Sequence, residues 1–384
     1  MSVTAPRGFR ASGVVAGLKA SGRPDVALVV NDGPDHHAAA VFTGNRVEAA
    51  PVTWSRTVVA DGRADVVVLN SGGANACTGA PGFQDTHATA EHVAAALGVA
   101  AGDVVVCSTG LIGERLPMER LLGGVDVAHA ALAADGGGEA AEAIMTTDSV
   151  PKTATAARDG WSVGGMAKGA GMLAPALATM LVVVTTDAVV PDAAALDTAL
   201  REATRTTFDR VDSDGCMSTN DTVVLLSSGA SGTTPDAGEL TEAVTAVCAD
   251  LARQLVADAE GAHHDIAVEV RGAASEADGL EVARSVARNN LFKCAVFGGD
   301  PNWGRVLAAV GTTGAAFDPA TLDVSMNGVQ VCRAGGVGES RDLVDLAARE
   351  VHVLVDLHAG DETVTVWTND LTHDYVHENS AYST

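Results

Sequence analysis

Aromatic side chains are scarce, at 3% of 384 residues, while glycine appears 42 times. A core with so few rings has to be filled by small and branched aliphatic side chains, with tight turns and backbones that approach closely. Basic residues are also few, 24 Lys+Arg against 49 Asp+Glu, for a formal net charge of −25. So acidic a surface repels phosphate backbones and anionic lipid headgroups, which sets nucleic acid and membrane aside as partners. The first thirty residues carry Arg7, Arg10 and Lys19 and no uninterrupted apolar run ending in a small-residue cleavage site, so no secretory signal is expected. The most apolar stretch, 172–184, falls short of a membrane span and holds Pro175 and Thr179; it is expected to be buried core. No CxxC spacing links Cys77, Cys107, Cys216, Cys248, Cys294 and Cys332. The expectation is reduced thiols in a cytoplasmic protein. His87 and His92 are five apart, which is not the i, i+4 pairing of a helical zinc site, and His36-His37 and His263-His264 read as surface loops; no metal is expected.

What is present is the composition of a folded protein, 47% hydrophobic and 19% charged. Short strand-like runs bounded by Gly, Asn or Asp recur at 27–30, 40–43, 65–70, 103–108, 180–186, 221–228, 266–270, 352–357 and 363–368. Alanine-rich helical patterns lie between them at 85–97, 193–204, 239–257, 276–288 and 340–349, the first with an N-cap in Gln84-Asp85-Thr86 and a stop at Gly98. Loops are expected at 135–138, 229–238 and 335–336. The strands are too many and too continuously apolar for one half-exposed sheet. The fold class is therefore mixed α and β, a layered sandwich with two sheets buried between helical layers. No solenoid repeat, heptad run or long polar linker divides the chain, so any halves belong to one compact body.

Several segments carry candidate chemistry. Lys168-Gly169-Ala170-Gly171 is glycine-rich but matches neither GxGxxG nor GxxxxGK[ST], which argues against a nucleotide loop. Thr179, preceded by small residues and opening an apolar run, reads in two ways. Within a strand it is a β-branched core residue. Freed by a cut at Ala178–Thr179 it is a nucleophile whose own α-amine serves as base. The sequence CSTGLIG (107–113) ends a strand in a glycine turn, which can aim a hydroxyl and a backbone N–H at one point as an oxyanion requires. Residues 212–221 form a dense polar cluster around Cys216, a second candidate nucleophile with no histidine near it in sequence; packing is expected there.

Taken together, CSTGLIG, IMTTDSVPK, GGMAKGAGMLAPALATMLVVVTTDA, DSDGCMSTNDTV, EGAHHDI, GGDPNWGR and the terminal HENSAYST run in this order along nearly the whole chain. This set closely resembles the ornithine acetyltransferase family of arginine biosynthesis. The resemblance implies a fold similar to self-processing N-terminal-nucleophile enzymes and a precursor that cleaves itself between Ala178 and Thr179. It implies an N-terminal chain 1–178 and a C-terminal chain 179–384, two of each assembling together. The implied reaction moves an acetyl group from N2-acetylornithine to glutamate through an acetyl-threonine. No cofactor is implied; acetyl-CoA enters as co-substrate only in members that also acetylate glutamate from it. Position by position, Thr179 matches the nucleophile and Thr109 with Gly110 the oxyanion donors. Thr146, Lys168, Glu260, Asn379 and Thr384 match substrate contacts, with Thr147 the alternative to Thr146. The chain departs from the family at His263-His264, where Thr-Lys is common, and in the residue before Asn379; neither is a position assigned a role. Two other readings stand beside this one: a self-processing aminopeptidase or amidase with water as acceptor, and a binding protein on the same fold.

Overall fold

The structure, a computed structural model, describes residues 2–174 and 180–381. These form two compact units, one of residues up to 209 and 216–258, the other of 210–215 and those from 259 onward. In the first unit, strands are β1 (Phe9–Val14), β2 (Val26–Asn31), β3 (His37–Phe42), β4 (Val66–Ser71), β5 (Val104–Thr109), β6 (Lys152–Ala157), β7 (Ser162–Lys168), β8 (Leu181–Thr186) and β9 (Thr222–Ser227). Its helices are α1 (Ala50–Val58), α2 (Gly79–Leu97), α3 (Met118–Ala130), α4 (Gly137–Ala143), α5 (Ala193–Thr206) and α6 (Ala237–Ala257). The second unit holds β10 (Asp265–Ala273), β11 (Asp323–Met326), β12 (Val329–Arg333), β13 (Gly336–Val337), β14 (Glu350–Asp356) and β15 (Glu362–Asn369), with α7 (Glu276–Ala287), α8 (Asn290–Phe297), α9 (Trp303–Val310) and α10 (His373–Ala381).

The first unit is a sandwich of two sheets, in the orders β1-β2-β4-β5 and β3-β9-β8-β7-β6. Strand alternation sends successive side chains to opposite faces, so both faces of a continuously apolar strand must be covered. Ala27, Val29, Val67, Leu69, Val105 and Cys107 of the first sheet share one core with Leu181, Val183, Val224 and Leu226 of the second. The residues between them in sequence, Val26, Leu28, Val66, Val68, Val104 and Val106, pack instead with Val93 of α2 and Leu121 and Val125 of α3. On the outer face of the second sheet a Cβ at Gly165 would lie 2.9 Å from the Val247 side chain of α6, so the glycine lets helix and strand close up. Asp192 caps α5, and α6 opens with a capping box of Asp236 and Glu239. The layers run helix, sheet, sheet, helix, as expected.

The second unit is a third sheet, ordered β13-β12-β11-β14-β10-β15, which the sequence reading of two sheets did not provide for. Its strands alternate buried and part-exposed positions, and the buried ones (Ile266, Val268, Val270, Val351, Val353, Val355) pack with Val282 and Val286 of α7, Phe292 of α8 and Val306 of α9. Each of the nine expected strand runs falls on a strand, overrunning it by no more than one residue at either end. Helix α2 starts at Gly79, six residues before the expected Asp85, because Asp85 is taken by Arg115 in a two-pronged ion pair at 2.9 and 2.6 Å and Pro81 sits in the first turn, where its missing N–H costs nothing. Gly98 ends it in a left-handed cap. Residues 340–349 are not a helix. After one turn at Arg341–Leu343 the chain extends, Leu346 docks in the core and Arg349 pairs with Asp265. The expected loop at 135–138 gives way to α4 at Gly137.

Leu69 is fully buried between the two sheets. Leu69→Ala is expected to destabilise the chain by about 2–5 kcal/mol, read from the shift of the urea unfolding midpoint.

Candidate active site

Strand β5 is buried along its whole length and ends at Thr109, itself 3% exposed. The next residue turns the chain with φ 127°, and a Cβ at Gly110 would sit 2.6 Å from the Gly73 nitrogen, so only glycine fits. The N–H groups of Gly72 and Gly73 both donate to the Thr109 carbonyl, at 2.9 and 3.0 Å. Asn220, from the polar cluster of 212–221, donates to the carbonyls of Ser108 (2.8 Å) and Ala74 (2.6 Å), tying the end of β5 to this turn. The cluster thus braces the site through Asn220, while Cys216 is exposed rather than packed.

Lys168 ends β7, opposite Leu181 at the start of β8, and Leu181 in turn stands opposite Thr222 of β9. The side chain is 2% exposed and its Nζ donates to Thr109 Oγ1 at 3.3 Å. An ammonium has only donors, so it occupies an acceptor site of that hydroxyl and leaves the hydroxyl proton to point elsewhere. Thr109 is thereby set up as a donor. Thr109 and Lys168, two of the expected site residues, are brought together; Ala178, Thr179 and Thr384 lie outside the described residues.

The sequence reading missed Asp148, which lies inside IMTTDSVPK and is 2% exposed. One of its oxygens accepts from Gly169 N–H (2.7 Å) and Lys152 Nζ (2.7 Å), the other from Thr146 N–H (2.9 Å). Lys152, fully buried, also reaches Asp258 at 2.5 Å. Burial alone raises the Asp148 carboxyl, but the charges of Lys168 and Lys152, with the hydrogen bonds from Lys152 and Thr146, outweigh it and hold the group at about 2. A single carboxylate therefore links the Thr146 segment, the turn after Lys168 and a second lysine. Asp25 shapes another neighbouring segment, accepting the N–H groups of Ala16, Leu18 and Lys19 at 2.6, 2.5 and 3.0 Å. From that loop Arg23 donates to the Thr146 carbonyl (3.1 Å) and Lys19 to that of Ala143 (3.4 Å). Burial, then the charge of Arg23, push Lys19 down to about 8 against the pull of Asp25 and Asp148. Asp148, Lys19 and Arg23 could have been suspected only from charges standing in otherwise apolar or small surroundings.

In the second unit, Asn379 of α10 donates to Glu260 at 2.9 Å, so these two expected residues also meet. Thr372 reaches the Gly261 carbonyl (2.6 Å), and His263, one of the departures from the family pattern, pairs with Asp374 at 2.8 Å. That departure thus bears on the helix that carries Asn379. His264 is not a surface residue as expected: its side chain is 13% exposed and bonds Asp370 (2.7 Å) and the Leu346 carbonyl (3.1 Å). Among the described residues no group of three His, Cys, Asp or Glu side chains is placed to hold a metal ion. None of the six cysteines is in a disulfide, and burial pushes the Cys107 and Cys248 thiols up to about 12, which keeps them protonated. No helix among the described residues is long and apolar enough to cross a membrane.

A hydroxyl donor at a glycine turn, steadied by a buried ammonium on a helix–sheet–sheet–helix scaffold, defines a class of enzyme suited to acyl transfer. Residues 10–384 match the model of the ArgJ family. The arginine biosynthesis bifunctional protein ArgJ of Streptomyces avermitilis is 68% identical over 383 residues, and that of Streptomyces coelicolor 66% over 383, each covering 100% of both chains. Among solved structures, the ornithine acetyltransferase of Mycobacterium tuberculosis complexed with ornithine is similar at 59% identity and a TM-score of 0.45, over 47% of this chain and 96% of that one. The chain belongs to the ArgJ family, the bifunctional enzymes of acetyl transfer in arginine biosynthesis.

Because the Asp148 carboxyl is lower in the folded than in the unfolded chain, its stabilising effect is complete above the ordinary value near ~3.9 and is lost as pH falls toward about 2. Between pH 5 and 2 the parent protein should lose about 2 kcal/mol more unfolding free energy than Asp148→Asn, measured by urea unfolding across that range. Parallel losses in the two proteins would show that Asp148 is not held down by its lysines.

Proposed function

We propose that the chain transfers the acetyl group of N2-acetylornithine to glutamate by way of an ester on Thr179, after cutting itself between Ala178 and Thr179 into chains 1–178 and 179–384. An amide acetyl group is a poor electrophile, and a covalent relay divides its transfer into two easier steps. In the first, Thr179 Oγ attacks the acetyl carbonyl while its proton passes to the threonine's α-amine. The tetrahedral intermediate collapses, the C–N bond breaks, and ornithine leaves with that proton. In the second, the amine of glutamate attacks the ester, and Thr179 Oγ leaves and is reprotonated. The cut follows the same chemistry: Thr179 Oγ attacks the Ala178 carbonyl, the peptide nitrogen leaves as the new α-amine, and water hydrolyses the resulting ester.

The observation that carries this reading is the Lys168 contact on Thr109 Oγ1, which leaves that hydroxyl free to donate at the turn of Gly110. Both intermediates bear an oxyanion, and Thr109 Oγ with the Gly110 N–H supplies its donors. Lys168 adds a fixed positive charge next to them and answers the α-carboxylate that donor and acceptor share. Thr146 contacts the substrate from the segment held by Asp148, and Glu260 takes a substrate ammonium, with Asn379 and Thr384 of the tail completing the substrate contacts. No cofactor takes part; acetyl-CoA is the alternative acetyl donor to glutamate in family members that use it. The enzyme works in the cytoplasm as two copies of each chain.

Thr179→Ala should give one intact chain on a denaturing gel and no transfer, whereas two chains from this variant would overturn the assignment. Thr109→Val should lower kcat by about 10²–10³-fold, the effect of one lost oxyanion donor, in an assay of ornithine formed from N2-acetylornithine and glutamate. Deleting the last six residues should cut transfer and leave self-cleavage intact. Acetate released at a rate indifferent to added glutamate would mark a hydrolase instead, and N-acetylglutamate formed from acetyl-CoA and glutamate would mark the second acetyl source.

A further inference from the structure

Asp221 is a buried acidic group that the transfer mechanism leaves unused. It is 0% exposed, immediately before β9. Its Oδ1 accepts the N–H of Met180 at 3.1 Å, and the Met180 carbonyl accepts the N–H of Thr222 at 3.1 Å. The Thr43 N–H fixes the Asp221 main chain in turn, donating to its carbonyl at 2.9 Å. Asp221 Oδ2 is buried with no hydrogen-bond partner among the described residues. A carboxylate charge in that position would be very costly. Burial accordingly drives the group well above the ordinary carboxylate range, against the Met180 N–H, the Ser218 hydroxyl, the charge of Lys168 and the Thr43 hydroxyl. What stands behind Met180 is a buried acid whose Oδ1 holds that N–H and whose burial favours the neutral form.

We infer that Asp221 is a positioning residue for the nucleophile: it grips the peptide N–H that follows Thr179 and so keeps the start of the second chain in register once the bond before Thr179 is cut. The inference rests on the reading of Thr179 as nucleophile and new chain end. Before the cut, residue 179 is bonded on both sides; after it, Thr179 begins a chain, and chain ends fray unless they are tied down. Met180 is held through both main-chain groups, its N–H by Asp221 and its carbonyl by Thr222, so the residue that follows Thr179 is fixed. Asparagine at 221 keeps a neutral acceptor of the same shape. Leucine keeps the volume and leaves the Met180 N–H buried and unpaired.

The test compares Asp221→Asn, Asp221→Leu and Thr179→Ala with the parent in one set of preparations, scoring folding by thermal melt, self-cleavage by denaturing gel, and transfer by kcat and KM. Asp221→Asn should cleave and transfer within about twofold of the parent, with the same pH–rate profile, since it keeps the acceptor that holds the Met180 N–H. Asp221→Leu should cleave more slowly and, once cut, show kcat lowered roughly tenfold or more at unchanged KM, the mark of a displaced nucleophile rather than a damaged binding site. If Asp221→Leu fails to fold, Asp221→Ser, too short to reach Met180, takes its place with the same expectation. Parental kcat in Asp221→Leu, or an Asp221→Asn as slow as Asp221→Leu, would overturn the inference. Thr179→Ala separates the two levels: if it still yields two chains, the nucleophile reading itself fails, whereas if it stays intact while Asp221→Leu behaves as the parent, only the role of Asp221 fails.

Discussion

A lysine sealed inside a protein needs a negative charge sealed in with it, and the first unit is organised around that need. Lys168 and Lys152 are 2% and 0% exposed, and Asp148 is the carboxylate between them, with Asp258 as second partner to Lys152. The pairing reaches beyond charge balance. In meeting it, Asp148 also takes the N–H groups of Thr146 and Gly169, so the strand that carries Lys168, the turn that follows it and the segment of Thr146 are drawn to one point. Lys168 can then lean on Thr109 at the end of a strand from the other sheet. A site assembled from both sheets of a sandwich depends on this buried cluster more than on any loop.

The sandwich also bears on what a cut before Thr179 would do. In the five-stranded sheet, β8 and β9 lie between β3 on one side and β7 and β6 on the other. A break ahead of Met180 therefore leaves two central strands of one fragment flanked by strands of the other. Each fragment supplies hydrogen-bond partners and core residues that the other cannot replace, so cutting need not loosen the fold. The boundary between the compact units falls near 209–216 and again at 258, not at the proposed cut, which would be a chemical division and not an architectural one.

Valine-rich strands such as β4 and β5 were legible because both faces are covered and every position is apolar. β6 and β7 were not, because KTATAA and SVGGMAK are built of small residues; Gly165 is there to admit α6. β11 and β12 are short and β13 spans two residues, too little for a pattern to register. Residues 340–349 have helical composition, yet the core takes Leu346 and Asp265 takes Arg349, so tertiary contacts override local preference. At the site, Thr109 with Gly110 and Lys168 stood out through long motifs. Asp148, Asp221 and Asn220 did not, although each lies inside one of those motifs. Asp221 pairs with Met180, Asn220 with Ala74 and Asp148 with Gly169, each far along the chain, and one sequence carries no sign of such pairings.

In the proposed reaction every acetyl group passes through a covalent ester on Thr179. Mixing the cleaved enzyme with N2-acetylornithine in the absence of glutamate and analysing the quenched protein by mass spectrometry tests it directly. One added acetyl group is expected on the chain that begins at Thr179, located on its N-terminal residue and lost when glutamate is added, with N-acetylglutamate formed in equal amount. Steady turnover with no acetylated protein at any time, or an acetyl group that sits elsewhere and stays when glutamate is supplied, would contradict it.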